Sequence, residues 1–235
     1  LPPDPVLARV TKTASTSASA VQRGWDDMRA GLSFVRHTPT LWVPMINLSL
    51  TATIAYILAM IAPQYASEIL QVSQEDAIYI FAPAGIGMLV GTFTIPRIGS
   101  AIRRETISNS GLLLQAVMLS AMALFAERLM GQPTTLTLAT MALAFSIGLG
   151  FAMIGIPAQT MLQERTPHEM RGRVFAAQYL LANSLSIAPM LIAGTIADRV
   201  GIPPVVLAAG FVMLLVALWS FFWASRHRFT AEPTV

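Results

Sequence analysis

The sequence predicts an all-α membrane protein with six transmembrane helices. Hydrophobic residues make up 54% of the 235-residue chain, charged residues make up only 11%, and the mean hydropathy is +0.62. An ordinary soluble domain carries about 25% charged residues, so this chain has too little charge to cover a surface that faces water. Six intervals between the charged residues are long enough to cross a bilayer, which takes about 20 apolar residues in a helix.

Two segments precede the first of these intervals. Residues 1–23 are rich in Pro, Ser, Thr and Ala with scattered charge, a composition that predicts a flexible linker. Residues 24–37 predict a short amphipathic helix lying on a membrane face, with a partly ordered linker as the alternative. The apolar residues at helical spacing in this second segment are Trp25, Met28, Leu32 and Val35.

The transmembrane bundle is predicted over residues 38–225. The apolar centres of its spans are predicted at 41–62, 78–95, 107–125, 136–158, 175–197 and 205–224. The turn signal Gly131-Gln132-Pro133 opens the fourth charge-free interval, so we interpret that interval as one span rather than two.

Basic residues predict the orientation of the bundle. Of the 15 Lys and Arg residues, 13 fall on the side that holds both termini, and only Arg128 and Arg199 fall opposite. Basic residues concentrate in cytoplasmic loops of membrane proteins. We therefore expect both termini, the linker, the amphipathic helix and the tail 226–235 to be cytoplasmic.

Small residues and prolines recur inside the predicted spans. Gly87 and Gly91 stand in GxxxG register beside Gly85, and Gly148 and Gly150 form a second pair; such residues allow another helix to approach closely. Prolines are expected to interrupt four spans around a cavity, unless they reflect only the general abundance of Pro in membrane helices. These prolines are Pro44, Pro83, Pro157 and Pro189.

Three segments carry a resemblance to a known family. Residues 24–39 (GWDDMRAGLSFVRHTP) resemble the basic amphipathic segment before the seventh helix of major facilitator transporters, in the branch that holds enterobactin-type and macrolide exporters. Residues 163–174 (QERTPHEMRGRV) are similar to that branch's loop between helices ten and eleven, and residues 194–201 (GTIADRVG) to its exit from helix eleven.

The resemblance implies a C-terminal six-helix half of a major facilitator fold, built as two inverted three-helix repeats. It also implies efflux across the cell inner membrane, and an N-terminal six-helix half as partner that this chain does not include. The loop 95–104 (IPRIGSAIRR) departs from the family pattern, because Ser100 stands near the position of an acid. We therefore expect Arg103 and Arg104 to anchor the loop at the leaflet rather than to form a charge relay.

The sequence offers no catalytic or cofactor motif. It has no cysteine, and its histidines, His37, His168 and His227, all fall at predicted cytoplasmic ends. No HExxH, GxSxG, Walker or Gly-rich nucleotide motif is present. We therefore expect a protein that is not an enzyme and holds no cofactor or metal. Its arginines lie between apolar runs, which argues against nucleic acid as a partner.

Neutral polar residues in the spans are the candidates for a substrate cavity. They either line that cavity or bond across helices inside the bundle, since an unpaired amide in lipid is costly. Tyr179, Asn183 and Ser186 share one helical face. The full set of candidates is Asn47, Thr51, Gln159, Gln178, Tyr179, Asn183 and Ser186.

A charged loop between the fourth and fifth spans is the candidate for a cytoplasmic latch. We define the latch loop by Glu164, Arg165, Glu169, Arg171 and Arg173, whose alternating charges can form ion pairs with each other, with helix ends or with another half. Gly172 predicts close backbone packing there. The alternative is that these arginines only set topology.

Two functions from different classes remain open at this point. The first is half of a secondary transporter in the lipid bilayer that exports small amphipathic compounds by alternating access. In that mechanism a site between two halves opens to each side of the membrane in turn. The second is a six-helix membrane scaffold or channel subunit without a transport cycle.

Overall fold

Helices account for all the regular structure in the part of the chain that the computed structural model describes, residues 29–73, 75–99, 102–129 and 132–226. The linker 1–23, the start of the predicted amphipathic helix with Trp25 and Met28, and the tail beyond residue 226 lie outside these residues. The helices are α1 (29–37), α2 (Trp42–Glu68), α3 (Ala77–Ile98), α4 (Arg104–Arg128), α5 (Pro133–Glu164), α6 (Arg171–Val200) and α7 (Ile202–Arg226).

Helices α2 to α7 are each long and apolar enough to cross a membrane. The predicted all-α fold with six spans is therefore confirmed. The helices extend beyond the predicted apolar centres: α5 has 32 residues, which is about 48 Å at 1.5 Å per residue, against a hydrocarbon core of about 30 Å. The polar ends of the helices thus project from the apolar layer, and the charged residues lie there.

The packing of the six spans has an approximate two-fold pattern. The most extensive contacts join α3 to α5, α2 to α6, α4 to α7 and α4 to α5. Exchanging α2 with α5, α3 with α6 and α4 with α7 turns the α3–α5 pair into the α2–α6 pair and leaves α4–α7 unchanged. The α4–α5 pair departs from the pattern, because its counterpart α2–α7 makes far fewer contacts. The other three pairs show the arrangement of two three-helix repeats, and these repeats are inverted because three spans end on the opposite side from where they begin.

Glycines bring α3 and α5 into close contact, as their spacing predicts. A Cβ added at Gly87 would overlap the carbonyl oxygen of Phe145, and one added at Gly148 would overlap the carbonyl oxygen of Ala84. Gly91 packs in the same way on the side chain of Ala152. Backbone-to-backbone approach of this kind replaces the hydrophobic driving force that helices lack in lipid.

Prolines fall inside helices at Pro83, Pro157 and Pro189, as predicted, and also at Pro63 and Pro96. The prediction for Pro44 is wrong. Helix α2 begins at Trp42, so Pro44 lies in the first turn, where a backbone N–H has no intrahelical acceptor to lose.

A small apolar cluster closes the end of the bundle where α5 finishes and α6 starts. Val35 of α1 is buried there with Leu41, Met45, Leu162 and Val174. Helix α1 approaches α6 through Gly31, whose Cα lies against the Arg173 carbonyl. Leu32, on the same predicted apolar face as Val35, is 48% exposed, because contact through Gly31 turns the neighbouring Leu32 side chain away from α6.

Candidate functional site

Three of the predicted cavity residues lie together where α2 packs on α6. We call this contact the α2–α6 seam and define it by Thr53 and Tyr56 of α2 and Tyr179, Asn183 and Ser186 of α6. The hydroxyls of Thr53 and Ser186 lie 2.8 Å apart, and the Tyr56 hydroxyl donates to Asn183 Oδ1 at 2.9 Å. Ser186 is 2% exposed, whereas Tyr179 is 69% exposed. The seam therefore runs from a buried hydroxyl pair to an open polar surface.

The remaining predicted cavity residues have different surroundings. Asn47 is fully buried and donates through Nδ2 to the Ser108 hydroxyl of α4 at 3.1 Å, so it bonds across helices. The Thr51 hydroxyl donates to the Asn47 carbonyl one turn away at 2.6 Å. Gln159 is exposed on α5, and Gln178 is partly buried on α6. Asn47, Asn183 and Ser186 thus bond across helices, which is one of the two alternatives drawn from the sequence.

Exposed polar groups within a span constrain what the seam can face. Lipid cannot hydrogen-bond to an amide or a phenol, and polar groups inside membranes therefore face a protein partner or a water-filled cavity. Tyr56 and Tyr179 are 41% and 69% exposed. The seam can accordingly offer hydroxyl and amide groups to an uncharged or weakly polar molecule that has an apolar body.

The latch loop is tied to α4 by two crossed ion pairs. Arg165 Nη2 lies 2.6 Å from Glu105 Oε1, and Arg104 pairs with Glu164. The second guanidinium nitrogen of Arg165 donates to the Thr40 carbonyl at 2.8 Å. Arg165 therefore joins the C-terminal end of α5 to the first turn of α4 and to the 3-10 helix Pro39–Leu41 before α2.

Helix dipoles favour the Arg165–Glu105 arrangement. Glu105 lies in the first turn of α4, where the partial positive charge of a helix end stabilises an acid, and Arg165 is the C-cap of α5, where the partial negative charge stabilises a base.

The expectation that Arg104 only anchors the leaflet was incomplete. The sequence spacing could not indicate its pairing with Glu164, because that contact depends on how α4 and α5 pack.

The rest of the latch loop also makes bonds within the loop and to the helix ends beside it. Arg171 Nε donates to the Gln163 and Thr166 carbonyls at 3.1 and 3.3 Å, which fastens the start of α6 to the end of α5. Arg173 Nη1 contacts the Met170 sulfur at 3.9 Å, and Glu169 is exposed. The prediction for Gly172 is wrong: it is exposed, with nothing within 4 Å of an added Cβ. Gly31 makes the close approach instead.

Thr53 and Tyr56 were missed as site residues although the sequence holds a signal for them. With Ser49 they are spaced i, i+4 and i+7, which places them on one face of α2. That polar face matches the polar face of α6, and the pairing of two such faces is what the structure shows.

A family model described as Major Facilitator Superfamily matches residues 2–190. The chain belongs to the major facilitator superfamily. Its members are membrane transporters, and the six apolar helices fit a multi-pass membrane protein of this family. A comparison with curated proteins finds no match to the chain.

Proposed function

We propose that this major facilitator chain is the C-terminal six-helix half of an exporter of small amphipathic compounds that works by alternating access. The observation that carries the proposal is the α2–α6 seam, where Tyr56, Tyr179 and Asn183 present polar groups at the surface of a largely apolar bundle. A wall of a substrate cavity accounts for polar groups that lipid would not accept.

Helices α3 and α6 support the presence of another half. In their most apolar windows only 17% and 22% of the residues are buried, against 39% or more in the other four spans. The two helices correspond to each other under the two-fold packing pattern, so the low burial repeats at equivalent places. A second six-helix half that covers them would complete the cavity.

Rigid-body rocking of one half against the other requires each half to move as a unit. The Arg165–Glu105 and Arg104–Glu164 pairs fasten α5 to α4, and the Arg165–Thr40 bond fastens α5 to the segment before α2. In the proposed cycle the latch loop keeps these helix ends together while the half rocks. The similarity of residues 163–174 to a loop of exporters supports export over import.

Everted membrane vesicles that contain the complete transporter test this function. We expect energised accumulation of a neutral amphipathic fluorescent dye such as Nile red, abolished by an uncoupler. Vesicles that lack the protein provide the background. Dye fluxes equal to that background for several neutral amphipathic dyes would oppose the proposal.

Tyr56→Phe tests the substrate role of the seam. The change removes the donor to Asn183 Oδ1, and a hydrogen bond of this kind is worth about 0.5–1.5 kcal/mol. We expect KM for the dye to rise about 2- to 10-fold with normal membrane insertion. Thr195→Ala is the control, because the Thr195 hydroxyl is exposed on α6, the helix that carries Asn183, and donates to the Leu191 carbonyl in its own turn. An unchanged KM in Tyr56→Phe would place the seam outside the substrate path.

Reporter fusions test the proposed orientation, with both termini in the cytoplasm. A fusion within the loop 71–74 should report the outside, and a fusion after Phe229 should report the cytoplasm, because 13 of the 15 basic residues lie on the terminal side. Alkaline phosphatase and green fluorescent protein give opposite signals on the two sides. The reverse pattern would overturn the orientation.

A further inference from the structure

An apolar cavity of about 180 Å³ lies in the gap between α2 and α3, against α5. These two helices make few contacts with each other although they are consecutive. Five alanines are among the described lining residues, and their short side chains leave the space open. They are Ala55, Ala59, Ala62, Ala84 and Ala144.

This cavity is separate from the α2–α6 seam. Its described lining includes none of the residues that define the seam. Successive residues of a helix are rotated by about 100°, so Ala55 and Ala62 lie on a different side of α2 from Thr53 and Tyr56, whereas Ala59 lies only about 60° from Tyr56. The cavity also lies nearer the end where α2 finishes and α3 begins, which we expect to be the outer end. A ligand held by this lining would therefore touch none of the polar groups of the seam.

The size and chemistry of the cavity define what it can hold. Apolar cavities of about 150 Å³ in proteins stay dry and bind benzene or xenon. Here the cavity is slightly larger and is partly open at the bundle surface, and its walls are almost entirely apolar. A water molecule needs two to four polar partners, so an apolar group is the favoured occupant.

Aromatic and sulfur-containing side chains narrow the class of ligand further. Tyr65 and Phe81 form an edge-to-face pair at the wall, with ring centroids 6.1 Å apart and planes at 71°, and Phe151 and Met122 also line the cavity. Aromatic edges and thioether sulfur both make favourable contacts with a ring. We propose that this cavity binds a single-ring aromatic group, either as a small molecule or as the ring of a larger compound.

Photolabelling with 3-phenyl-3-(trifluoromethyl)diazirine tests the site in the complete protein, purified in detergent. Mass spectrometry should find labels on Tyr65 and Met122. Excess fluorobenzene should reduce these labels at least about tenfold, as mass action requires for a competitor well above its Kd. Labelling of Phe93, which is 65% exposed on α3 and lines no described pocket, should persist because surface labelling is not saturable.

Two further arms decide between a ring and a lipid chain, and between the cavity and the surface. Dodecanoate should compete much less than fluorobenzene at equal free concentration; equal competition would make the cavity an acyl-chain site and overturn the proposal.

Ala62→Leu fills the cavity and should remove the Met122 label, whereas Ala142→Leu, at an exposed position of α5, should not. Labels on Tyr65 and Met122 that resist fluorobenzene in the parent protein would also overturn it, whatever the variants do.

Discussion

We expect Gly148→Ala to destabilise the folded bundle by about 1–3 kcal/mol, the usual cost of forcing extra atoms into a packed interior. The reason is the α3–α5 contact: an added Cβ at Gly148 would overlap the carbonyl oxygen of Ala84. Backbone atoms cannot rotate aside as a side-chain end can, so the whole of α3 must shift. That shift would also separate Gly87 from Phe145.

Gly155→Ala is the matched control for this effect. Gly155 lies on the same helix α5, and an added Cβ there meets nothing within 4 Å. The alanine should be neutral or stabilising by up to about 1 kcal/mol, because alanine loses less backbone entropy in a helix than glycine. Both variants are heated in detergent, and the fraction of protein that remains monodisperse is measured at each temperature to give an unfolding midpoint. Equal midpoints for the two would mean that α3 and α5 are not in close contact.

The second large effect is expected from Arg165→Lys. The Arg165 guanidinium bonds to Glu105 and to the Thr40 carbonyl through two different nitrogens. Lysine keeps the positive charge, and with it the topology, but its single ammonium group cannot reach both acceptors with the same geometry. The Arg165 and Glu105 side chains are 33% and 27% exposed, so solvent screens the pair in part. We expect the substitution to lower the stability of the α4–α5 contact by about 1–2 kcal/mol. This changes the equilibrium between the fastened and unfastened states of the half by a factor of about 5–30, and the transport rate should fall accordingly.

Arg103→Lys controls for charge and position in the latch experiment. The Arg103 side chain is 62% exposed and lies 3.9 Å from Glu105, so its replacement should leave transport near the parent rate. A double mutant of Arg165→Lys and Glu105→Gln should lose less than the sum of the two single losses, because the residues act as one pair. Normal transport by Arg165→Lys would reduce the latch loop to an orientation signal.

The elements of the fold were largely predictable because the membrane imposes simple rules on the sequence. A charge inside lipid is costly, so the charged residues marked where each span had to end. The glycine spacing at Gly87 and Gly91 likewise predicted a face that approaches another helix, and Gly148 and Gly150 predicted a second such face. These signals are local, which is why they can be recognised in one chain.

The site was less predictable because its contacts depend on the offset between helices. Nothing in the spacing of Arg104 and Glu164, which are 60 residues apart, shows that the ends of α4 and α5 meet. Gly172 looked like a point of close packing, yet Gly31 makes that contact because α1 folds back onto the start of α6. The apolar cavity results from a gap between α2 and α3, and no sequence pattern marks a gap.

Reconstitution of the purified chain by itself tests most directly the central claim, that this bundle is one half of a transporter. A cavity between two halves needs both walls, so liposomes containing only residues 1–235 should show neither dye accumulation nor ion conductance. Liposomes that contain the chain together with an N-terminal six-helix half should accumulate dye when energised. Dye accumulation or ion conductance by the chain alone would contradict the account and identify a self-contained transporter or channel.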